Sequence, residues 1–330
     1  MMESDVETPE FWLHRHWGLW PAHVRALSSG HTNKSFRVDA ANGAAVLRVS
    51  WAGKAAAQVR REVAALVALA GLDASDAWRG LPAVPRLRET VDARPGVRLD
   101  DGRWLHLFEA IDGEPGLPDD ARAGTIAAMR ALAPLHAALN TLPSGAAAPA
   151  AWLDARFARV AARPAPACLA AEQRAQYAAV IDRIGAHLAA AARWLDGPTQ
   201  WLHGDYHAGN LLFADGVLRG VLDFDDMGQG APWLEAAFAA FALSRDASVE
   251  THFVFDTDLR DAGLAAYAAG RCYAAPGWLG TRREAVMMLF CAEQTLIHLE
   301  AAQRGLWTPG PGIGFLGGWR QLLDGAMPIG

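Results

Sequence analysis

The segment HGDYHAGN, residues 203–210, decides how this chain is interpreted. It places Asp205 and Asn210 five positions apart, beside two histidines and after a short apolar approach. A second acidic cluster, DFDD at residues 223–226, follows a largely apolar run over residues 217–222. Phosphoryl transfer needs a carboxylate to position an attacking hydroxyl, and it needs an amide and a second carboxylate to hold Mg²⁺. The two segments supply these groups in that order.

The residues between the two segments predict a β-hairpin. A turn signal at residues 214–216 separates the apolar runs 211–213 and 217–222. Such a hairpin would bring Asn210 and Asp223 together at its open end. Their side chains offer hard oxygen ligands, which suit Mg²⁺. We therefore predict Asn210 and Asp223 as metal ligands and Asp205 as the catalytic base.

A metal hydrolase is an alternative, with His203, Asp205 and His207 as ligands. Hydrolytic sites of that kind generally recruit further histidines or carboxylates, and the other histidines here are scattered without such spacing. We expect His203 to brace the loop. The role of His207 is open between loop packing and substrate contact.

These motifs resemble those of the aminoglycoside phosphotransferase and choline kinase family, a branch of the protein-kinase-like fold. The family patterns His-Gly-Asp-x-x-x-x-Asn and Asp-[Phe/Trp/Leu]-[Asp/Glu] are matched at His203, Gly204, Asp205, Asn210, Asp223, Phe224 and Asp225. The paired segments are also similar to those of the bacterial stress-response Ser/Thr kinase subgroup. The resemblance implies a bilobal α+β fold with a small β-rich N-lobe and a larger, mainly helical C-lobe. It also implies ATP and Mg²⁺ as cofactors and a hydroxyl group as acceptor.

The N-terminal third has the order of a kinase N-lobe, with strand-like runs, one helix and further strands. The resemblance implies that the loop before the second strand closes over the nucleotide phosphates with its N–H groups. It also implies that Arg48 grips phosphate and that Glu62 pairs with Arg48. Lys54 is a rival cation, but it lies past the strand in a glycine-containing turn. The implied nucleotide-binding residues are Ser29, Gly30, His31, Thr32, Asn33, Arg48, Glu62, Glu109 and Ile111.

The hinge between the lobes is predicted where a strand-like run ends. An adenine ring would bond to backbone groups near Glu109 to Ile111, and Gly113 and Pro115 then break the strand. We accordingly divide the chain into an N-lobe over residues 1–108, a hinge over 109–116 and a helical C-lobe over 117–330.

Composition excludes several classes of protein. The chain has 330 residues, 52% of them hydrophobic, a net charge of −6 and a pI of about 6.0. Nothing in this balance suggests nucleic acid or an anionic membrane as a partner. We expect neither a secretory signal nor a membrane span, and hence a cytoplasmic protein. Cys168, Cys272 and Cys291 are expected to be buried free thiols.

We therefore predict an ATP-dependent phosphotransferase that acts on a hydroxyl of a small molecule. Acidic residues near the site would favour a cationic acceptor such as an amino alcohol or aminosugar. Two alternatives stay open: a Ser/Thr protein kinase of the stress-response type, and a catalytically silent nucleotide-binding protein. Glu235 stands where family members often carry an Asp that follows Pro. The candidate substrate contacts are Tyr206, His207, Asp225 and Glu235.

Overall fold

The computed structural model describes residues 8–21, 23–27, 33–72, 82–246, 248–249, 251–271, 273–307 and 315–325. A sheet-rich N-terminal part ends at Glu109, and a mainly helical C-terminal part begins at Glu114. The boundaries that we drew at 108, 116 and 117 stay a prediction. Four of the implied nucleotide-binding residues lie outside the described residues, namely Ser29, Gly30, His31 and Thr32.

The N-terminal part is one antiparallel sheet with two helices. Thr8 begins the first helix because its hydroxyl accepts a hydrogen bond from the Phe11 N–H at 3.3 Å, and Pro9 occupies the first turn. The elements are α1 (Pro9–Trp17), β1 (His23–Ala26), β2 (Lys34–Ala40), β3 (Gly43–Val49), α2 (Ala56–Leu72), β4 (Leu87–Arg88), β5 (Val97–Arg98) and β6 (Trp104–Glu109). The sheet order is β1-β2-β3-β6-β4, with β5 also beside β6.

The two faces of β3 have different partners. Ala45, Leu47 and Val49 are buried and alternate along the strand, as expected for a half-buried strand. They pack in one cluster with Trp12 and Leu13 of α1. Arg48 therefore points to the opposite face, toward the C-terminal part.

The C-terminal part is built from helices around one core. Its elements are β7 (Glu114–Pro115), α3 (Ala121–Leu139), α4 (Ala151–Ala161), α5 (Ala171–Ala191), β8 (Gln200–Leu202), β9 (Leu211–Ala214), β10 (Val217–Val221), β11 (Gly228–Gly230), α6 (Pro232–Leu243), α7 (Thr257–Ala269), α8 (Gly277–Thr281), α9 (Arg283–Gln303) and α10 (Phe315–Asp324). Helix α6 is apolar on nearly all sides and is buried along its length. It forms the centre against which residues 203–210 rest, and we call this stretch the catalytic segment.

The predicted hairpin is present and has the expected turn. Strands β9 and β10 pair antiparallel, and Asp215 and Gly216 adopt left-handed φ values of 51° and 73°. This conformation matches the right-handed twist of a two-residue hairpin. The Leu222 N–H donates to the Asn210 carbonyl at 2.8 Å, so Asn210 and Asp223 both lie at the open end of the hairpin, as predicted.

The described cysteines differ in burial, and the longest apolar helix lies inside the fold. Cys291 is a buried free thiol, but Cys168 is exposed, so burial was wrong for Cys168; Cys272 lies outside the described residues. Among the described helices, α9 alone has the length and composition of a membrane span, and 72% of its apolar window is buried inside the fold. That burial is typical of a core helix.

Candidate active site

The catalytic segment is anchored by Glu235 in the first turn of α6. Its carboxylate accepts hydrogen bonds from the backbone N–H groups of His203 and Gly204 and lies 2.5 Å from His136 Nε2. Burial alone would raise the pKa of Glu235, but the His136 hydrogen bond and charge hold it below its usual range. Glu235 thus fixes the start of the loop. From the sequence we had predicted Glu235 as a substrate contact or as a substitute for the family Asp.

His203 is buried, and both of its ring nitrogens have backbone partners, one in its own loop and one just after the hairpin. Nε2 lies 2.8 Å from the Leu222 carbonyl, and Nδ1 lies 3.3 Å from the Asp205 N–H. A histidine engaged in this way braces the loop and is not free to bind a metal. Within the described ranges, one group of three or more His, Cys, Asp or Glu side chains is close enough to hold a cation, and it consists of Glu62, Asp223 and Asp225. The hydrolase alternative therefore finds no support in the geometry.

Gly204 is required by the close approach of two loops. Its φ is +86°, and a Cβ at this position would lie 2.0 Å from the Asp226 carbonyl oxygen. Any side chain would therefore push the catalytic segment away from residues 223–226. The glycine holds the two motifs against each other.

Asp205, His207 and Asn210 form one hydrogen-bonded group around the short 3₁₀ turn Ala208–Asn210. Asn210 Nδ2 donates to the carbonyl oxygen of Asp205 at 2.9 Å and to its carboxylate at 3.1 Å. His207 Nε2 lies 3.4 Å from the same carboxylate. Burial would raise the pKa of Asp205, but His207, His203 and Arg156 lower it to about 2. The candidate base is therefore ionised at neutral pH.

Asp223 directly follows the hairpin in a left-handed conformation, with a φ of 60°. Burial and the neighbouring Asp225 raise the pKa of Asp223 to about 8, although Arg48 opposes this. The shift comes first from burial and then from the neighbouring carboxylates, and a divalent cation would oppose both effects by favouring the ionised form. Asn210 bonds to Asp205 through its nitrogen, which directs Oδ1 away from that contact. Asn210 and Asp223 together thus fit a hard divalent ion.

Two cations from the N-terminal part reach this acidic group. Arg48 contacts Glu62 and lies 3.7 Å from both Asp223 and Asp225. Lys54 Nζ lies 3.0 Å from Glu62 Oε2 and also contacts Asp225. The predicted pair of Arg48 and Glu62 is present. Lys54, which we had ranked as a rival, joins the same cluster because the turn after β3 folds back toward α2.

A cavity of about 400 Å³ lies between the N-terminal and C-terminal parts. Arg48, Phe108, Glu109 and Ile111 line one side of it, and Asn210 and Asp223 line the other. The Glu109 and Ala110 N–H groups donate to the carbonyls of Arg86 and Ala44. Of the implied nucleotide residues that the structure describes, Asn33, Arg48, Glu109 and Ile111 line this cavity, whereas Glu62 stands behind Arg48.

A second, much smaller cavity opens on the other side of Asp205. It measures about 20 Å³ and is lined by Asp205, Tyr206, His207 and Glu235 together with Glu293. Aromatic rings complete its wall, contributed by Trp152, Phe238 and Phe290. Of the candidate substrate contacts, Asp225 lines neither cavity, and the Tyr206 hydroxyl donates to the Ala128 carbonyl at 2.7 Å.

The sequence interpretation missed Glu293. This carboxyl group is buried on α9, where it accepts a hydrogen bond from Trp152 Nε1 at 3.2 Å. Burial raises the pKa of Glu293 to about 8, against the effect of Arg156. Its helix and that of Trp152 are far apart in the chain, so no local spacing marks either residue. Only an acidic residue within an apolar helical pattern could have drawn attention to this position.

The family model described as the phosphotransferase enzyme family (APH) matches residues 23–282. The chain belongs to this family, and it is a phosphotransferase with a hydroxyl group as acceptor. Among curated proteins, no sequence match is found.

Solved structures share the fold at low sequence identity. An amicoumacin kinase, hAmiN, in complex with AMP-PNP, Ca²⁺ and Ami has a TM-score of 0.64 and 13% identity, covering 87% of this chain and 84% of that chain. A microcompartment-associated aminopropanol kinase has a TM-score of 0.62 and 19% identity, covering 94% and 96%. A choline/ethanolamine kinase family protein from Mesorhizobium loti has a TM-score of 0.58 and 17% identity, covering 92% and 88%. These likenesses confirm the bilobal kinase-like α+β fold.

Proposed function

We propose that the enzyme transfers the γ-phosphoryl group of ATP to the hydroxyl of a small primary amino alcohol. The observation that carries the proposal is the position of the hydrogen-bonded pair Asp205 and Asn210 between two cavities. Asn210 faces the large cavity, and Asp205 faces the small one. A phosphoryl donor on one side and an acceptor on the other would meet at this pair.

The large cavity has the features of a nucleotide site. The Glu109 and Ala110 N–H groups are committed to other carbonyls, which leaves the Glu109 carbonyl and the Ile111 N–H as the groups that would pair with an adenine edge. Arg48 would contact the phosphates, because a guanidinium can bind phosphate oxygens through two N–H groups. The amicoumacin kinase with bound AMP-PNP and Ca²⁺ supports a nucleotide and a divalent ion in this fold.

Asn210 Oδ1 and the Asp223 carboxylate would hold Mg²⁺. When bound, the metal would neutralise charge on the phosphate oxygens and align the transferring group. Arg48 and Lys54 already compensate Glu62 and Asp225. Asp223 has a longer contact, 3.7 Å to Arg48, and is the carboxylate of this cluster that we assign to the ion.

Asp205 would position the acceptor hydroxyl and accept its proton. A carboxylate with a pKa of about 2 is too weak a base to ionise an alcohol before the reaction. In a loose transition state the proton leaves late, so orientation matters more than base strength. His207 and Asn210 hold the carboxylate in place for that task.

The small cavity fits an ammonium group. Its volume of about 20 Å³ is close to that of a single water-sized group. The Glu293 carboxylate would supply the counter-charge, and the rings of Trp152, Phe238 and Phe290 would offer cation–π contacts. A primary ammonium matches this space better than a bulky quaternary one. The aminopropanol kinase and the choline/ethanolamine kinase family protein are consistent with such an acceptor.

Matched acceptors test the proposal. We would measure Mg²⁺-dependent ADP release from ATP with short amino alcohols, the diols of the same carbon skeleton, their trimethylammonium forms and a generic Ser/Thr protein. The amino alcohols should stimulate release at least about tenfold over the diols, as expected when a cation pairs with a buried carboxylate. Equal stimulation by diols, or labelling of the protein substrate alone, would contradict the proposed acceptor.

A further inference from the structure

Asp225 lies in the C-terminal part, yet its side chain is bound almost entirely by residues of the N-terminal part. Oδ2 accepts a hydrogen bond from Asn33 Nδ2 at 2.8 Å, and Oδ1 contacts Lys54. Its backbone carbonyl accepts a further bond from Gln58 Nε2 at 2.9 Å. Three separate positions of the N-terminal part thus converge on one residue of the second acidic motif.

Lys54 is unusual in this chain. Only two of the 30 lysine and arginine residues are lysines, Lys34 and Lys54. Lys34 is exposed on β2, whereas the side chain of Lys54 has 0% exposure and contacts both Glu62 and Asp225. An ammonium is compact and can sit between two carboxylates where a planar guanidinium would need more room. A buried charge of this kind persists only when it is paired.

The segment that carries Lys54 is itself held to the sheet. The indole Nε1 of Trp104 donates to the Lys54 carbonyl at 3.3 Å, and Lys54 Nζ lies 5.4 Å from the centre of the Trp51 ring. Because the backbone of Lys54 is held to the sheet, the Lys54 ammonium would stay with the N-terminal part if the two parts of the protein separated, and it would not move with Asp225. Loss of the contact to Asp225 would therefore accompany any opening.

We propose that Asp225 is a latch that holds the N-terminal part closed on the catalytic segment, and that Lys54 is the positioning residue that keeps it closed. Asp223, the proposed metal ligand, lies two residues before Asp225. Arg48 lies 3.7 Å from both of these carboxylates. The latch would thus fix the distance between the phosphate-binding cation and the metal ligand.

The surroundings of Asp225 show that its proposed role as a latch is distinct from acceptor binding. Asp225 lines neither cavity, and its two carboxylate oxygens are engaged by Lys54 and Asn33. Asp226, its neighbour, pairs instead with Arg156 of α4 at 2.6 Å, within the C-terminal part. Adjacent carboxylates in one motif therefore serve different parts of the fold.

Amine labelling tests the latch without any turnover. The native protein, free of nucleotide, would be treated with an amine-reactive reagent, and the rates at Lys34 and Lys54 would be read by peptide mass spectrometry. Lys54 should react at least about 100-fold more slowly than Lys34, because its reaction requires opening. Asp225→Asn, which preserves side-chain shape, should speed Lys54 labelling at least about tenfold. Asp226→Asn is the matched control and should leave the rate at Lys54 unchanged.

The predicted effect of the latch on catalysis rests on the proposed phosphotransferase function. It is measured separately, by the KM values for ATP and for the acceptor. Lys54→Met should raise KM for ATP about tenfold and leave KM for the acceptor unchanged, and Lys34→Met should change neither. Lys54 labelling in Asp225→Asn at the wild-type rate, or equal rises in both KM values for Lys54→Met, would overturn the latch. If the wild-type enzyme shows no transfer at all, the proposed function fails while the labelling result still decides the latch.

Discussion

Asn210 donates its side-chain amide to Asp205 twice, to the backbone carbonyl at 2.9 Å and to the carboxylate at 3.1 Å. The residue proposed to bind the metal is therefore also the residue that orients the proposed base. The five-residue spacing in the motif achieves this through the 3₁₀ turn at Ala208–Asn210. The Asn210 side chain thus links the position of the proposed metal ion to the orientation of Asp205, which would contact the acceptor.

Asn210→Ala should lower kcat by about 10²-fold or more, because it removes both a metal ligand and the support of Asp205. It should also raise the Mg²⁺ concentration needed for half-maximal rate. Steady-state kinetics across a Mg²⁺ series would measure both effects. Asn140→Ala is the control, since Asn140 is an exposed residue at the end of α3. A rate and Mg²⁺ dependence in Asn210→Ala equal to wild type would remove Asn210 from the site.

Gly204→Ala should destabilise the protein far more than Gly216→Ala. Both glycines have positive φ values, 86° and 73°, but only Gly204 would place a Cβ against backbone, 2.0 Å from the Asp226 carbonyl. The Gly216 variant should cost about 1 kcal/mol of strain alone. Urea denaturation would compare the free energies of unfolding. Similar losses in the two variants would show that the loops at Gly204 can separate at little cost.

Arg48→Lys should raise KM for ATP by about 10- to 100-fold, although it keeps the charge. One ammonium cannot contact Glu62 and also span the 3.7 Å separations to Asp223 and Asp225 that the guanidinium covers. Arg94→Lys is a control, because Arg94 forms an exposed pair with Asp92 and lines neither cavity. Nucleotide binding measured by titration calorimetry would check the result. An unchanged affinity would mean that charge alone suffices at position 48.

Glu293 should contribute to the pH dependence of the free energy of unfolding. Its pKa in the folded protein is about 8, against about 4.3 in an unfolded chain. Between these values the folded state retains a proton that the unfolded state has lost, so this group makes stability fall as pH rises, by up to about 1.4 kcal/mol per pH unit. Glu293→Gln should remove that contribution. Denaturation curves at several pH values would show a shallower decline in the variant than in wild type.

The same carboxyl links pH to acceptor binding. An ammonium binds the ionised form of Glu293, so KM for an amino alcohol should fall as pH rises from about 6 to 8 in wild type. Glu293→Gln should show a higher KM with no such trend. A wild-type KM that does not change over this range would argue against Glu293 as the counter-charge.

Much of the site was accessible from the sequence because its parts are local. The hairpin between residues 211 and 221 follows from one turn signal, and it alone brings Asn210 toward Asp223. The pair of Arg48 and Glu62 was implied by the family resemblance, which places a cation on a strand and a glutamate on the helix that follows it. Such relationships depend on short-range geometry, which residue spacing predicts well.

The remainder depends on tertiary packing. Lys54 reaches Asp225 only because two distant segments are folded together, and Trp152 meets Glu293 across two helices. Strands β7 and β11, of two and three residues, exist through pairing with β9 and β8 rather than through their own propensity. Glu235 looked like a substrate contact from its charge, yet its carboxylate is committed to the loop that it supports.

The most direct test of the account follows the phosphoryl group itself. Phosphorus NMR of a reaction with ATP, Mg²⁺ and a short amino alcohol should show a new phosphomonoester that forms in proportion to ADP. Asp205→Asn should slow its formation by about 10³-fold, whereas Asp215→Asn, in the exposed hairpin turn, should match wild type. Formation of inorganic phosphate without a phosphomonoester, or an Asp205→Asn rate within about tenfold of wild type, would contradict the assignment of Asp205 and the proposed transfer.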